Sequence, residues 1–405
     1  MSRIEDLIAD LCPDGVEYRP MWRLTSWDKR FNAVERSKQP LVFKYNYFLA
    51  NDLRPLVVDG GDVKLLTTNT SNLWTSEELA GDMVSEGEVV AIPWGGNPNV
   101  QYYKGKFLTA DNRIAVSNDT NVLDTKFLYR FMQNNLGLIG SFYRGSGIKH
   151  PSMAQILDLP IPIPPLAVQR EIVAILDTFT ELEAELEAEL EARKRQYEYY
   201  RDALLKLDGQ SGIKWIDDLC PNGVEFVSLG DVVANHDSRR KPVTRGSRVM
   251  GAYPYYGANG IQDWVSDFIY DGTFLLIGED GSVITGSGKP VLNWAVGKIW
   301  VNNHAHVLTA LDDSIELRFL YFYLATVDIS SYVTGGTQPK LNQGNMNRIP
   351  IPIPPLEVQR EIVNVLDKFD ALVNDLSIGL PAELAARRKQ YEYYRDQLLT
   401  FKEAV

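Results

Sequence analysis

The sequence is poor in cysteine and has no long apolar run, and each absence excludes a class of protein. The 405 residues include two cysteines, Cys12 and Cys220, which cannot form a disulfide framework or, without further ligands, a zinc site. No stretch of 18 apolar residues is present, which excludes a membrane-spanning helix. The acidic, amphipathic start MSRIEDLIADL lacks the basic residues and apolar core of a signal peptide. We therefore expect a cytoplasmic protein with buried, reduced thiols.

Basic residues are not in excess either. The formal net charge is −12, which disfavours a stand-alone nucleic-acid binder because such proteins usually carry surplus lysine and arginine. The acidic excess is concentrated in the long helical stretch, residues 166–207, and at the ends of the chain, whereas the larger segments 21–160 and 226–350 are close to balanced. The charge therefore does not exclude an anionic partner for those segments.

Motifs of catalysis are also lacking. The sequence contains no GxSxG, HExxH or CxxC motif. GSGK (286–289) lacks the rest of a phosphate-binding P-loop, and NPNV (97–100) has the wrong third residue for the Asn-Pro-Pro-aromatic motif of amino-methyltransferases. We interpret the chain as non-catalytic.

Two groups of polar residues remain as candidate sites. His304 and His306 lie two positions apart and could bind a metal, but no third ligand is evident, so we favour core or turn histidines. Glu279, Asp280 and Lys289 could form a nuclease-type cluster, although acids beside glycine in GEDGS are more typical of turns.

Three blocks of sequence occur twice and define the architecture. Residues 160–179 and 350–369, which both begin with PIPIPPL, are identical at 16 of 20 positions. The other pairs are RKRQYEYYRDALL (193–205) with RRKQYEYYRDQLL (387–399), and DLCPDGVEY (10–18) with DLCPNGVEF (218–226). The chain therefore consists of two tandem halves of about 200 residues each.

Two segments that share little sequence, residues 21–159 and 227–349, lie between these blocks. Both contain short apolar runs separated by turn residues and then one helical pattern, which predicts compact α+β domains. PIPIPP cannot be helical, because each proline removes an amide donor and biases the preceding residue to extended geometry. We expect it to be a stiff, extended connector that directs the helix after it.

A long helical pattern follows each PIPIPP, over residues 166–207 and 355–402. Forty residues of helix would be about 60 Å long, and apolar side chains recur every three or four positions. Gly379-Leu380-Pro381 predicts a break in the second helix, with Pro381 starting the next segment. A stripe this long needs another long helix to cover it. We predict that the two pack antiparallel, with a globular domain at each end.

The first helix contains TELEAELEAELE (180–191), a four-residue unit written three times. A leucine stripe with a solvated acidic face, supported by pairs such as Glu189 with Arg193, accounts for its composition. A second hypothesis is a ruler, because four residues turn a helix by roughly 40° beyond a full turn and one base pair turns B-DNA by roughly 35°. The lengths match less well, at about 6 Å of helix against roughly 3.4 Å of DNA.

Each variable segment ends in a glycine-rich polar loop, YRGSGIKHPS (143–152) or YVTGGTQPKLNQGN (332–345). Glycines, hydroxyls, amides and a cation together suit close approach to phosphate and hydrogen bonding to base edges. Similar stretches are TTNTSN (67–72), PWGGNPN (93–99) and YPYYGANG (253–260). The alternatives are surface turns, aromatic core packing for the tyrosines, and solvated charges for Lys104 and RRK (239–241).

The order of these parts resembles a known family. Two unlike globular segments alternate with two like helical ones, joined by PIPIPPLxVQREIV, opened by LCPDGVEY and closed by RKQYEYYRDxLL. Over the whole chain this resembles the specificity subunit of type I restriction–modification enzymes, and the tetrad repeat is similar to that of the type IC subgroup. The resemblance implies a non-catalytic subunit in which each variable segment is a target recognition domain for one half of an interrupted DNA sequence.

The resemblance also implies partners and boundaries. The helices would form an antiparallel coiled coil that fixes the DNA spacer and docks two modification (adenine methyltransferase) subunits, which use S-adenosylmethionine. Restriction subunits, which use ATP and Mg²⁺, would join them, whereas this chain would bind no cofactor and no metal. The implied segments are the N-terminal segment with the first recognition domain (1–159), the central spacer (160–208), the second recognition domain (209–349) and the C-terminal spacer (350–405).

Internal duplication would give this α+β chain a pseudo-two-fold symmetry that matches two DNA half-sites. The expected DNA contacts are Asn69, Trp94, Asn97, Lys104, Arg144, Ser146, Lys149, His150, Arg239, Arg240, Tyr255, Tyr256, Asn259, Thr337, Gln338, Lys340 and Asn342. The expected spacer and docking residues are Leu182, Leu186, Leu190, Tyr197, Tyr200, Phe369, Leu372, Tyr391 and Tyr394. Two alternatives stay open, a self-contained DNA enzyme and a non-enzymatic helical scaffold whose globular domains bind protein.

Overall fold

The computed structural model describes residues 2–209 and 211–404. The chain divides into two compact units, unit 1 with residues 1–185 and 385–405, and unit 2 with residues 186–384. Unit 1 therefore combines the first variable segment with the C-terminal part of the chain. The four segments expected from the sequence divide the chain by function rather than by compactness, and their boundaries stay a prediction.

Helices and strands are mixed throughout the first half. The helices are α1 (Ser2–Leu11), α2 (Met21–Leu24), α3 (Ala50–Leu53), α4 (Glu77–Ala80), α5 (Thr125–Asn134), α6 (Leu136–Ser141), α7 (Met153–Leu157) and α8 (Leu166–Leu204). The strands are β1 (Glu17–Pro20), β2 (Thr25–Trp27), β3 (Tyr47–Phe48), β4 (Val63–Leu66), β5 (Trp74–Thr75), β6 (Ser85–Pro93), β7 (Gln101–Ala110), β8 (Asn112–Ser117), β9 (Tyr143–Arg144), β10 (His150–Pro151) and β11 (Pro160–Ile163).

The second half has the same mixture. Its helices are α9 (Lys214–Leu219), α10 (Leu229–Val232), α11 (Leu317–Leu324), α12 (Gln343–Met346), α13 (Leu356–Asn374) and α14 (Leu380–Leu398). Its strands are β12 (Phe226–Ser228), β13 (Val233–Asn235), β14 (Met250–Gly257), β15 (Gly260–Val265), β16 (Tyr270–Gly278), β17 (Leu292–Val301), β18 (Ala305–Ala310) and β19 (Pro350–Pro352). Short 3₁₀ helices lie at Arg36–Lys38, Arg54–Leu56, Gly81–Met83, Asp237–Arg239, Arg245–Ser247 and Ser330–Tyr332. No helix among the described residues is long and apolar enough to cross a membrane.

The main sheets of the two units share one topology although their sequences differ. Unit 1 has the strand order β2-β8-β6-β7-β4-β5, with β3 beside β7, and unit 2 has the order β13-β18-β16-β17-β14-β15. The contacts of β4 with β7 and of β14 with β17 are parallel, whereas β6–β7 and β16–β17 are antiparallel. The runs 89–92 in β6 and 274–277 in β16 are buried at every position, which explains their continuous apolar sequence. The predicted α+β class is confirmed.

The proline-rich blocks are extended, as predicted, and each has a partner strand that the sequence did not reveal. β11 pairs antiparallel with β1, and β19 pairs antiparallel with β12. Proline is tolerated there because each of these sheets has two strands, so one side of each strand needs no amide donor. The DLCP block and the PIPIPP block of each half therefore meet in a small sheet.

The DLCP block of unit 1 also contacts the C-terminal residues. The amide of Val16 donates to the carbonyl oxygen of Lys402 at 2.9 Å. Gly15, at φ +97°, approaches the same residue so closely that a Cβ would lie 2.5 Å from that oxygen. Cys12 and Cys220 are buried as expected, and burial raises the pKa of both thiols.

The long helices pack antiparallel, as predicted. α8 is continuous over 39 residues, and the second helical region is interrupted between α13 and α14, where the break was predicted. In unit 1 Phe179 stacks on Tyr394 with ring centroids 5.7 Å apart, and further along α8 Glu183 pairs with Arg388 at 2.6 Å. As residue numbers rise along α8, those of the contacting residues fall along α14, so the two helices run antiparallel.

Unit 2 repeats this aromatic contact with the helices exchanged. Phe369 of α13 stacks on Tyr200 of α8 with centroids 5.6 Å apart, and both stacks have an interplanar angle of 28°. Each cluster joins the PIPIPPL helix of one half of the sequence to the QYEYYRD block of the other half. The tandem order of the blocks in the sequence does not reveal this pairing between the two halves. The pairing follows from the antiparallel packing of the two long helices.

Candidate nucleic-acid interface

Three loops that carry the polar stretches recur in both units. The asparagine turn is residues 67–72 in unit 1 and 257–262 in unit 2, the glycine turn is 94–99 and 279–284, and the polar loop is 144–150 and 334–340. Two of the three pairs lie 190 residues apart, which is the spacing of the PIPIPPL blocks.

The polar loops of the two units are closed in the same way. In unit 1 the pairing of β9 with β10 places His150 opposite Arg144. In unit 2 an isolated bridge places Lys340 opposite Thr334. The two loops therefore have the same length and register but different side chains.

A glycine with positive φ turns the chain at the same place in each polar loop. Gly145 has φ +145° and Gly335 has φ +84°. A Cβ would lie 2.6 Å from the carbonyl oxygen of Ile148 in unit 1 and 2.5 Å from that of Gln338 in unit 2. Glycine is required at both positions, so the two loops turn at equivalent residues.

The glycine turn holds the polar loop by an equivalent backbone hydrogen bond in each unit. The amide of Gly96 donates to Lys149 O at 3.0 Å, and the amide of Gly281 donates to Pro339 O at 3.2 Å. In unit 1 the hydroxyl of Tyr143 adds a bond to Pro93 O at 3.0 Å, and burial raises the pKa of this hydroxyl. Two loops that are distant in sequence therefore form one surface.

The asparagine turn occupies the same hairpin in both units. β4 pairs with β5, and β14 with β15, at the same residue spacing across the turn. This places Asn69 and Asn259, both exposed, at equivalent positions. In unit 1 the Nδ2 of Asn99 donates to Thr68 O at 2.7 Å and joins this turn to the glycine turn.

The loops of unit 1 are aromatic and cationic. The Trp94 ring has the Arg113 guanidinium 3.9 Å from its centroid and the His150 ring 5.4 Å away. Nδ1 of His150 lies 2.7 Å from Trp94 O and must donate, because a carbonyl oxygen only accepts. Burial lowers the pKa of Arg113, which still carries its charge at neutral pH. Arg144 and Lys149 are exposed beside this cluster.

In the loops of unit 2, acidic and basic side chains form ion pairs with each other instead. Glu279, in the glycine turn, accepts a hydrogen bond from Arg240 at 2.6 Å and lies 3.6 Å from the Lys340 ammonium. The neighbouring Asp280 contacts His304. The acids that the sequence assigned to a turn are therefore turn residues whose carboxylates contact Arg240, Lys340 and His304.

A buried pair lies under the polar loop of unit 2. Nδ1 of His306 is 2.5 Å from the carboxylate of Asp237, and its Nε2 donates to Leu341 O at 2.8 Å. Burial raises the pKa of Asp237, but hydrogen bonds from His306 and the Val307 amide, with the His306 charge, outweigh burial and hold that pKa below its usual value. Asp237, Glu279 and His306 are close enough to share a cation, but these nitrogens and oxygens already bind protein groups, so we interpret the cluster as an ion-pair network.

Two predicted DNA contacts are interior residues, which corrects the sequence-based expectation. Tyr255 and Tyr256 are 1% and 9% exposed, because Arg248 lies over the Tyr255 ring and Tyr256 packs in an apolar cluster of the sheet. The Tyr255 hydroxyl accepts from the Val243 amide at 2.9 Å, and its ring stacks on Trp300. Aromatic core packing is the right interpretation, and neither tyrosine is kept among the proposed contacts.

Three predicted cations make protein contacts of their own. Lys104 pairs with a glutamate of β6 at 2.9 Å, and Arg239 donates to a backbone carbonyl at 2.5 Å, although both side chains stay exposed. Arg240 is largely buried and binds Glu279, so it supports the glycine turn rather than facing solvent. Asn342 caps α12 by accepting from the Asn345 amide at 2.8 Å.

The three loops bring most of the remaining candidates together. In unit 1 these are Asn69, Trp94, Asn97, Arg144, Ser146, Lys149 and His150, and in unit 2 they are Asn259, Thr337, Gln338 and Lys340. Sequence reasoning missed Ile148, which is apolar yet 70% exposed in the polar loop. The 190-residue spacing of the two polar loops was a usable signal, since it aligns Ile148 with Gln338.

The predicted spacer residues divide into packed and exposed ones. Tyr197, Tyr391, Tyr394 and Phe369 pack within their own units, and Leu190 is buried. Leu186 is half-buried, and Leu182, Tyr200 and Leu372 are partly exposed. Tyr199 and Tyr393, which were not predicted, are 70% and 61% exposed at equivalent positions of the repeated block.

Comparison with known proteins identifies the family. Residues 56–192 and 221–386, which are most of the chain, match the family model of the type I restriction modification DNA specificity domain. The chain belongs to the type I restriction–modification specificity subunits. A Haemophilus influenzae protein named as such a subunit is 44% identical over 184 residues, covering 44% of this chain and 47% of its own length. The Escherichia coli EcoR124I/EcoR124II specificity subunit is 30% identical over 311 residues, covering 70% of this chain and 73% of its own length.

This specificity subunit has the fold of its family. The crystal structure of a type I restriction–modification system S subunit from M. genitalium aligns with a TM-score of 0.66 at 18% identity, over 95% of this chain and 96% of that one. Specificity subunits are the non-catalytic members of these systems, so the interpretation as non-catalytic is confirmed by family membership. The chain spans about half the length of the Haemophilus relative. The matches name no subgroup, so the type IC assignment stays a prediction.

Proposed function

We propose that this chain reads an interrupted DNA sequence, with unit 1 reading one half and unit 2 the other. One observation carries the proposal: the polar loops of the two units are closed and turned at equivalent residues, but present different side chains. A shared scaffold with unlike side chains is what two half-sites of unlike sequence require.

The side chains of the loops suit both kinds of DNA contact. Arg144 and Lys149 are exposed cations that can bind phosphates, whereas Ser146, Thr337 and Gln338 can hydrogen-bond to base edges. Ile148 can pack on the 5-methyl group of thymine, which is an apolar feature of the major groove. The unlike residues at equivalent positions predict unlike half-sites.

The helices are proposed to set the spacer and to bind partners. α8 runs through both units without a break, and its tetrad repeat lies where one unit ends and the other begins. By the resemblance, the partners are two adenine methyltransferase subunits with S-adenosylmethionine and restriction subunits with ATP and Mg²⁺, in the cytoplasm. Cations from these partners would offset the net charge of −12 around the duplex.

Grafting one polar loop tests the reading role. Residues 146–150 (SGIKH) would be replaced by GTQPK of residues 336–340, which keeps Gly145 and the loop length. Co-expressed with the methyltransferase subunit, the graft should change the bases methylated in one half of the motif and leave the other half and the spacer intact. A well-placed base contact contributes about 1–3 kcal/mol, or roughly fivefold to 150-fold in preference.

The reverse graft, of SGIKH into positions 336–340, is the matched control and should change the opposite half. Methylation at the parental motif by both grafts would reject the loops as reading elements. Binding without any sequence preference would instead favour the protein-binding scaffold.

A further inference from the structure

A glutamine in the repeated phrase VQREIV is fully buried in both units. Gln169 and Gln359 each have 0% exposure, although glutamine is usually a surface residue. Both lie in the first turn of the helix that follows PIPIPP, α8 or α13. A buried amide at a repeated position needs a full set of hydrogen-bond partners.

Gln169 binds three backbone groups from two parts of unit 1. Its Oε1 accepts from the amide of Asp124 at 2.9 Å. Its Nε2 donates to Val122 O at 2.7 Å and to Pro164 O at 2.8 Å. Asp124 caps the N-terminus of α5, which is the helix of the first recognition domain. One side chain therefore joins that domain to the start of its spacer helix.

Gln359 makes the same three bonds in unit 2. Its Oε1 accepts from the amide of Glu316 at 2.8 Å, and its Nε2 donates to Ser314 O and Pro354 O, each at 2.9 Å. Glu316 is the residue before α11, the helix of the second recognition domain. The contact persists although the sequences before α5 and α11 differ, because it uses backbone atoms of the recognition domains.

An ion pair adds a second attachment about two helical turns further along each spacer helix. In unit 1 Asp177 binds Lys126 at 2.5 Å and Arg130 at 2.7 Å. In unit 2 Arg318 binds Asp367 at 2.7 Å and Asp370 at 2.8 Å. Two separated contacts prevent rotation of a rigid body about either one.

We propose that Gln169 and Gln359 are positioning residues that fix the orientation of each recognition domain on its spacer helix, and so make the complex strict about the distance between DNA half-sites. The inference rests on the proposed function. Only a primary amide of this length offers one acceptor and two donors here. Glutamate has the same shape but would place a carboxylate against two carbonyl oxygens. Loosening this contact would let the loops reach a half-site displaced by one base pair.

The test uses the full chain with its methyltransferase subunit and three DNA duplexes. The duplexes carry the mapped half-sites at the native spacing, one base pair shorter and one longer. For Q169E, and separately for Q359E, we expect the methylation rate on the altered spacings, relative to the native one, to rise at least tenfold above wild type. R170Q, at the exposed neighbouring position, is the matched control and should keep the wild-type ratio.

The possible results distinguish a positioning role of the glutamine from a contribution to stability alone. If Q169E slows methylation equally on all three duplexes, the ratio is unchanged and the inference is wrong. If Q169E does not assemble, Q169N, which keeps the amide but shortens its reach, gives the same ratio test. A wild-type complex that methylates all spacings equally would reject the proposed function itself, whereas strict spacing in both wild type and variants would reject only this inference.

Discussion

At the scale of single residues, the polar loop of unit 2 depends on a largely buried carboxylate. Asp237 accepts from His306, whose other nitrogen donates to Leu341 at the end of that loop. Asp237 also accepts from the Val307 amide at 2.9 Å and lies 3.4 Å from Arg240. Removing one partner of a buried charged network costs about 3 kcal/mol.

The substitution D237N tests this network. Hydrogen exchange at pH 7 should show a loss of about 3 kcal/mol in the unfolding free energy of unit 2, with unit 1 unchanged as an internal control. The pKa of Asp237 is lowered in the folded chain, so its contribution is present above the unfolded value of about 4 and is lost as pH falls through the folded value. The difference between wild type and variant should therefore shrink towards pH 2, and an equal difference at both pH values would contradict this account.

Some residues of the site were predictable and others were not. Gly145 and its neighbours were found because glycine, hydroxyl and cation recur before PIPIPP in both halves. Tyr255 was misassigned because the sequence does not show that Trp300 and Arg248 pack on its ring. Gln169 lies within the repeated phrase, but two of its three partners are backbone atoms 45 and 47 residues away, which no side-chain pattern reveals.

At the scale of elements, the tetrad region is the part of α8 where the chain leaves unit 1 for unit 2. The stacked pairs Phe179–Tyr394 and Tyr200–Phe369 lie on either side of it. We expect a change of length there to leave both aromatic clusters and all three loops of each unit unaltered, because none of them lies within the tetrad region.

Deleting residues 184–187 should therefore shorten the DNA spacer and keep both half-sites. Four residues correspond to about 6 Å of helix and roughly 40° of net rotation. The rotation is close to that of one base-pair step in DNA, whereas the length is closer to that of two base-pair steps. Methylation mapping of the deletion variant should find the parental half-sites at a shorter spacing. Deleting a single residue is the control, because it rotates one side by about 100° and should abolish methylation. An unchanged spacer in the four-residue variant would reject the ruler hypothesis.

The elements themselves were largely predictable. Helical periodicity predicted α8, and Gly379-Leu380-Pro381 predicted the interruption before α14. The conformational restriction of proline predicted the extended β11 and β19. The strand partners β1 and β12 were not predicted, because pairing between distant segments leaves no local periodicity. The shared sheet topology was not predicted either, because buried strands need only apolar residues and their sequences can therefore diverge.

At the scale of the whole molecule, we propose that duplication gives two equivalent surfaces, one for each of two identical partners. Tyr199 and Tyr393 are strongly exposed at equivalent positions, and large exposed aromatics are frequent anchors of interfaces. The substitution Y393A should weaken one methyltransferase site by roughly thirtyfold, for an anchor of about 2 kcal/mol. Native mass spectrometry should then show complexes with one partner, and Y199A with Y393A should show none. Full occupancy by two partners in the double variant would place the docking surface elsewhere.

The most direct measurement is the methylation pattern that this chain confers. The chain would be co-expressed with its methyltransferase subunit, and adenine methylation would be mapped across the host genome by long-read sequencing. We predict one interrupted motif with two unlike halves and a fixed spacer, methylated on both strands. A continuous motif, or no motif from a fully assembled complex, would contradict the account of two units that read two half-sites.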